Sequence, residues 1–264
     1  MQTKHISDWY FILNRARRGS GGRAARREAR TTQQIEFSKY IERKIPNFEI
    51  LNEEALEVIE NSAEEVLSEI GVKFPDNAFA LKLWKDAGAD IKGDLVKIPK
   101  GLARKLCSTA PATFTQHARS KIKNVEIGGK NLVCAPVYGP PFIRDLEGGR
   151  RYAEIADFEK LVKLAYMSKW VHHSGGTLCE PTDIPVNKRH LDMLFAHMTL
   201  SDKPYMGSVT APERAEDSVE MSEIIFGKKF VSENTVMTSL INLNSPLVLD
   251  CLLYTSPSPR DGTS

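Results

Sequence analysis

Between Trp170 and Asp250 the chain alternates strand and helix, and this feature most restricts how it can fold. "WVHHSGGTLCEP" reads as a strand and polar loop, followed by the amphipathic helix "NKRHLDMLFAHMTL". "KPYMGSVTAP" repeats the arrangement ahead of "ERAEDSVEMSEIIFG", and "NTVMTSLINLNSPLV" reads as a strand again. The strand starts near 170, 204 and 235 lie roughly 30–35 residues apart, the length of one β/α unit. Connections this short pair successive strands in parallel. A doubly wound sheet and a TIM barrel both satisfy the pattern. A dinucleotide site does not, because no G-x-G-x-x-G follows a strand and "HSGGTLCEP" runs into Pro181 instead of a helix N-terminus.

The preceding segment has a different texture. Asn52 reads as an N-cap, with Glu53 and Glu54 favoured by the helix dipole. Leu56, Ile59, Ala63, Val66, Leu67 and Ile70 then form one apolar stripe up to Gly71. A second helix is expected over about Asp76 to Ala87, then a strand at "DLVKIP" and a third helix opened by Pro99 and ending near Cys107. "TFTQHAR", "NVEIGG" and "NLVCAPVYG" suggest a small β-element. Asp157 is the expected cap of a helix that buries Phe158, Leu161, Val162 and Ala165.

The formal charge of +2 is unevenly spread over the 264 residues. Residues 1–30 hold eight Lys/Arg against two acids, whereas 31–250 hold 27 basic and 31 acidic residues. Residues 1–31 therefore read as a basic tail without aromatic residues for base stacking, on an acidic body that makes a nucleic-acid partner an unfavoured alternative. Four widely spaced cysteines form no C-x-x-C or Cys/His cluster, so no sequence-local zinc site is expected. No apolar run approaches the roughly 20 residues that cross a bilayer, and a cytoplasmic protein is the expectation.

"VYGPPFIRDLEGGRRYA", "HHSGGTLCEPTDIPVNKRHLDM", "SDKPYMGSVTAPERAEDSVEM" and "NLNSPLVLD" together resemble the trimethylamine methyltransferase family over about Arg15 to Asp250. The resemblance implies an α/β chain: an N-terminal helical segment and small β-element (32–169), then the first three β/α units of an incomplete TIM barrel (170–250). It implies a methyltransferase that moves a methyl group from a tertiary or quaternary methylamine, such as trimethylamine or a betaine, to the Co(I) of a corrinoid protein. No cofactor is expected on the chain itself, and the corrinoid (cobalamin) belongs to the partner. Methylamine chemistry of this kind serves methanogenesis, and a homo-oligomer is expected at full length. A TIM barrel takes about 250 residues, so the resemblance implies an N-terminal half, inactive alone. The residue at the reacting centre, pyrrolysine in the trimethylamine enzymes, is then expected in the other half. Residues 251–264, "CLLYTSPSPRDGTS", resemble a translated sequencing adapter and are expected to be non-native. A zinc, cobalamin-linked methyltransferase on the same fold is the alternative enzyme.

Site residues in such barrels lie at the C-terminal ends of strands. Thr177 and Glu180 follow the first expected strand, Ser208 and Thr210 the second, and Asn242 and Asn244 end the third. Glu180 could meet a cationic amine, while the two asparagines could share a strand face toward a substrate carboxylate. Tyr138, Phe142 and Tyr205 are candidates for an aromatic cage around a quaternary ammonium, against the commoner fate of core packing. His172 and His173 face opposite ways on a strand, and His190 and His197 lie near one helix face. Both pairs read as structural.

Overall fold

The computed structural model describes residues 37–240, 243–244 and 247–249. Residues 1–31, Asn242 and the stretch 251–264 lie outside them, and with them the expectations of a basic tail and a non-native end.

The first helix, α1 (Glu53–Glu65), starts as expected, with Asn52 Oδ1 accepting from Ala55 N–H at 2.9 Å. It continues as a π turn over Val66–Ile70 and stops at Gly71 (φ 82°), where a Cβ would lie 2.5 Å from the Val96 carbonyl oxygen. Its apolar stripe is anchored only at Leu67, and Leu56, Ile59 and Ile70 are exposed. The second helix, α2 (Ala78–Ala87), begins later than expected because Asn77, not Asp76, caps it. The third, α3 (Leu102–Cys107), begins after Gly101, so Pro99 precedes it without opening it.

Strands β2 (Val72–Lys73), β3 (Asp90–Lys92) and β4 (Leu95–Lys97) enclose a core of Val72, Phe74, Ala89, Val96 and Ile98. This sheet takes in two strands from the far end of the chain, β12 (Leu243–Asn244) and β13 (Val248–Leu249), in the order β12-β13-β2-β4-β3. A second, antiparallel sheet has the order β1-β7-β6-β5, built from β1 (Ile41–Glu42), β5 (Thr113–Gln116), β6 (Val125–Gly128) and β7 (Asn131–Leu132). A hairpin, β8 (Phe142–Asp145) and β9 (Gly149–Tyr152), leads into α4 (Ile155–Met167). Glu154 is the N-cap of α4. Asp157 stands in its first turn, accepting from Glu154 N–H (3.1 Å) and from both guanidinium arms of Arg151 (2.6 and 2.9 Å).

The alternating part is only partly as expected. β10 (Tyr205–Met206) and β11 (Met237–Thr238) pair in parallel, with α5 (Val186–Leu200) before them and α6 (Pro212–Phe226) and α7 (Lys228–Glu233) between them. The expected strand at 170 is not a regular strand. Residues 172–175 lie beside β10 through two backbone bonds, Ser174 N–H to Pro204 O (2.7 Å) and Met206 N–H to Gly175 O (2.8 Å). Adjacent glycines and a proline on the facing chain leave no even ladder. The third run also departs from expectation, since its strand ends at Thr238 and Leu243–Asn244 joins the other sheet. The described residues form a mixed α/β fold with several small sheets and no closed barrel. Ala153, Phe158, Val162, Leu178, Cys179 and Ala196 make the core between α4 and α5.

Candidate functional site

The loop "HSGGT" is held from behind by buried neutral histidines. Ser174 Oγ–H donates to His197 Nδ1 and His197 Nε2–H donates to Gly176 O, both at 2.7 Å. Gly175 N–H donates to His173 Nδ1 (2.9 Å), and the opposite ring nitrogen donates to Gln116 Oε1 (3.2 Å). Burial pushes His197 down to about 4 and His173 to about 3, so both rings are neutral and their tautomers are fixed by these partners. Gln116 in turn donates to the Tyr205 carbonyl (2.9 Å), tying the loop to β5 and β10.

In front of that loop the chain 138–140 is laid across it. Gly139 N–H donates to Thr177 O (2.7 Å) and Glu180 N–H to Pro140 O (2.9 Å). Tyr138 is thereby brought to Thr177 and Glu180 in a cleft of about 320 Å³, part of it continuous with solvent. Ser208 and Thr210 enter from the loop after β10, where Ser208 N–H donates to the buried Ser218 of α6 (3.1 Å). Five of the eight residues expected at a site thus line one cleft.

The other three stand elsewhere. Tyr205 is buried in a core with Leu194 and Met198, its hydroxyl 2.8 Å from Ser222 Oγ. Asn244 belongs to β12 in the five-stranded sheet, and Asn242 lies outside the described residues. Phe142 stays on the hairpin under the Arg150 guanidinium, 3.8 Å from its ring centroid. Of the three expected cage aromatics, Tyr138 alone lines the cleft.

Sequence reasoning missed the cleft's charges. Arg189 Nη1 donates to Glu180 Oε2 (2.9 Å) and Nη2 to Ile184 O (3.1 Å), so the Glu180 carboxylate is already neutralised. His190 Nε2 is 2.7 Å from Asp217 Oδ2, bridging α5 and α6. Arg214 donates to Thr210 Oγ1 (2.7 Å) and makes no ion pair among the described residues. The available signal was position: Arg189 and Arg214 sit in the first turns of the helices that follow the two loops. Chemically the cleft offers one aromatic face, three hydroxyls and an unneutralised guanidinium, a surface suited to a small polar or zwitterionic molecule. Among the described residues no group of three His, Cys, Asp or Glu is placed to hold a metal ion, and no helix is long and apolar enough to cross a membrane.

A family model described as trimethylamine methyltransferase (MTTB) matches residues 18–256. The chain is 43% identical over 207 residues to glycine betaine methyltransferase of Desulfitobacterium hafniense (strain Y51), a match covering 78% of this chain and 43% of that protein. It is 29% identical over 179 residues to proline betaine:corrinoid methyltransferase of Eubacterium limosum, covering 66% and 34%. The chain therefore spans less than half the length of these curated relatives. A match over nearly its whole length, through every loop that builds the cleft, makes this chain a member of the trimethylamine methyltransferase family.

Proposed function

We propose that the chain contributes the substrate end of a methyltransferase acting on a tertiary or quaternary methylamine, a betaine in the first instance. The observation that carries this reading is the gathering of Tyr138, Thr177, Glu180, Ser208 and Thr210 in one cleft at the loops after two neighbouring strand positions. The segment 172–175, β10 and β11 are the first three strands of a (β/α)8 barrel in this reading, whose C-terminal face carries the site. The division into 32–169 and 170–250 and the cytoplasmic location belong to the same proposal.

A quaternary nitrogen has no N–H, so it is held by π faces and by whatever else the molecule carries. Tyr138 faces the methylammonium group, while the Ser208 and Thr210 hydroxyls and Arg214 take a polar end. The corrinoid of a partner protein supplies the nucleophilic metal centre that receives the methyl group. The C–N bond breaks with its electron pair left on nitrogen, and a quaternary amine departs as a neutral tertiary one. The names of the two relatives, glycine betaine methyltransferase and proline betaine:corrinoid methyltransferase, support a betaine over trimethylamine.

Turnover is assigned to the longer protein, as a homo-oligomer, and binding to this chain. The test is a calorimetric titration of the 264-residue chain with glycine betaine and trimethylamine, beside an assay with reduced corrinoid followed by absorbance. Binding without turnover is expected. Absence of binding by either amine overturns the substrate assignment, and turnover by the chain alone overturns the need for more protein.

A further inference from the structure

Among the described residues three buried side-chain polar atoms have no hydrogen-bond partner, and two of them belong to Arg189 and His190, which line the same cleft. The orphaned atoms are Arg189 Nε and His190 Nδ1. Folded proteins leave few such atoms, because a buried polar group without a partner is costly. The other bonds of both side chains are spent: Arg189 on Glu180 and Ile184, His190 on Asp217. His190 is 4% exposed, so water does not satisfy its ring.

The surrounding charge says what kind of group would complete these bonds. Arg189 Nε–H can only donate, so it calls for an acceptor. Glu180 cancels the charge of Arg189, whereas Arg214, across the cleft on α6, keeps its own. Asp217 beside Nε2 stabilises a second proton on the imidazole, and Nδ1–H then donates as well. Two converging donors, an uncancelled guanidinium and the hydroxyls of Ser208 and Thr210 fit a planar anion with two acceptor oxygens. Tyr138 is left for the opposite, cationic end of the same molecule.

Resting on the function proposed above, we infer that His190 and Arg189 form a carboxylate-binding end of the cleft, with His190 the residue that separates an N-methylated amino acid from an amine lacking a carboxylate. Residues at the start of α5 thus read the part of the substrate that does not react, and orient the methylammonium group away from themselves.

The bland alternative is a latch, in which His190 only ties α5 to α6 through Asp217. Two variants separate these roles, because glutamine reproduces the position of Nε2 and asparagine that of Nδ1. His190→Gln keeps the bond to Asp217 and loses the Nδ1 donor, and His190→Asn does the reverse. The 264-residue chain and both variants are titrated with glycine betaine and with choline, which share a trimethylammonium head but differ in carboxylate against hydroxyl. A hydrogen bond to a charged group corresponds to about 10- to 150-fold in affinity. The parent is expected to prefer glycine betaine by a factor in that range. His190→Gln should bring the two ligands near parity at an unchanged melting temperature, while His190→Asn should retain a preference. Equal binding of both ligands by the parent, or a preference that survives in His190→Gln, overturns the inference.

Acetate gives an independent reading with 15N-labelled histidine. If acetate shifts the His190 Nδ1 resonance while neither quaternary amine binds, the carboxylate end stands and the amine assignment falls. If acetate leaves that resonance in place, the carboxylate end falls whatever the amines do.

Discussion

Arg189 Nη1 donates to Glu180 Oε2 across 2.9 Å, and both side chains are almost out of solvent, at 15% and 10% exposure. The pair joins the first turn of α5 to the loop that carries Thr177, so it sets the shape of the cleft and leaves Glu180 without spare charge for a cation. Removing one partner of a buried pair strands the other and costs about 3–5 kcal/mol. Glu180→Ala should therefore lower stability by roughly that amount in urea unfolding. If the variant instead melts like the parent and loses only ligand affinity, Glu180 is a contact residue and the scaffold role is wrong.

The two neutral histidines behind the loop make stability depend on pH. Their folded values, about 4 for His197 and about 3 for His173, lie below the ordinary 6.5, so between these limits the unfolded chain binds more protons. Their contribution is complete above pH 6.5 and is lost as pH falls toward 4, at about 1.4 kcal/mol per pH unit for each ring. Unfolding free energies measured from pH 7 to 4.5 should decline with that slope. His197→Gln should flatten it by about half, and an unchanged slope would mean the ring is not the buried neutral group.

A second acid-sensitive contact lies at the start of α4. The Arg151 guanidinium beside Asp157 holds its carboxyl down to about 2, below the usual 3.8, so this contribution is intact above about pH 4 and disappears as pH falls toward 2. Arg151→Met should raise the Asp157 value back toward 3.8, which 13C NMR of the carboxyl carbon would follow. A value still near 2 in the variant would assign the shift to the Glu154 backbone donor instead.

Lys203 is buried at the far end of the same helix, where its Nζ donates to the carbonyls of Ala165, Ser168 and Val171 at 2.6–2.8 Å. Burial pulls it down to about 8, and the three oxygens still make it the positive group at the negative end of the α4 dipole. Lys203→Met should cost about 3 kcal/mol, as orphaned carbonyls are left without a donor. Hydrogen exchange should show the loss concentrated at the last turn of α4, and a uniform loss across the fold would contradict the capping role.

What the sequence made legible divides along physical lines. Local signals worked: Asn52 caps α1, Gly71 and Gly88 end helices, and the loops of 177–180 and 208–210 converge because β/α periodicity is a property of neighbouring residues. Long-range pairing did not show. Nothing in "LNSPLVL" announces that Val248 pairs with Lys73 in the N-terminal sheet, since strand propensity does not name a partner. The buried charges were hidden for the same reason. Arg189 reads as a solvated helix residue until Glu180, nine positions earlier, is folded back onto it. Tyr205 shows the opposite error, an aromatic whose chemistry invites a cage but whose hydroxyl is spent on Ser222 in a core.

The glycine pair 175–176 gives the last prediction, because the two positions differ in what a methyl group would strike. At Gly176 a Cβ would lie 2.7 Å from Tyr138 Cε2 and 3.0 Å from Met206 Cβ, so the side chain of Tyr138 must move. At Gly175 the obstacle is Leu178 Cδ2 at 2.7 Å, and φ is +96°, a left-handed value that L-residues rarely adopt. Gly175→Ala should therefore act on the backbone and the core, with a large fall in melting temperature. Gly176→Ala should be milder in stability and displace the Tyr138 ring from the cleft. A quaternary ammonium against an aromatic face gains about 0.5–2 kcal/mol, so Gly176→Ala should weaken glycine betaine and choline alike by up to roughly 30-fold. Tyr138→Leu should show the same loss. If Gly176→Ala binds both ligands as the parent does while Tyr138→Leu does not, the ring has room to yield and the glycine is not what holds it. If both variants bind normally, Tyr138 is part of the cleft wall and not of the ligand's contact surface.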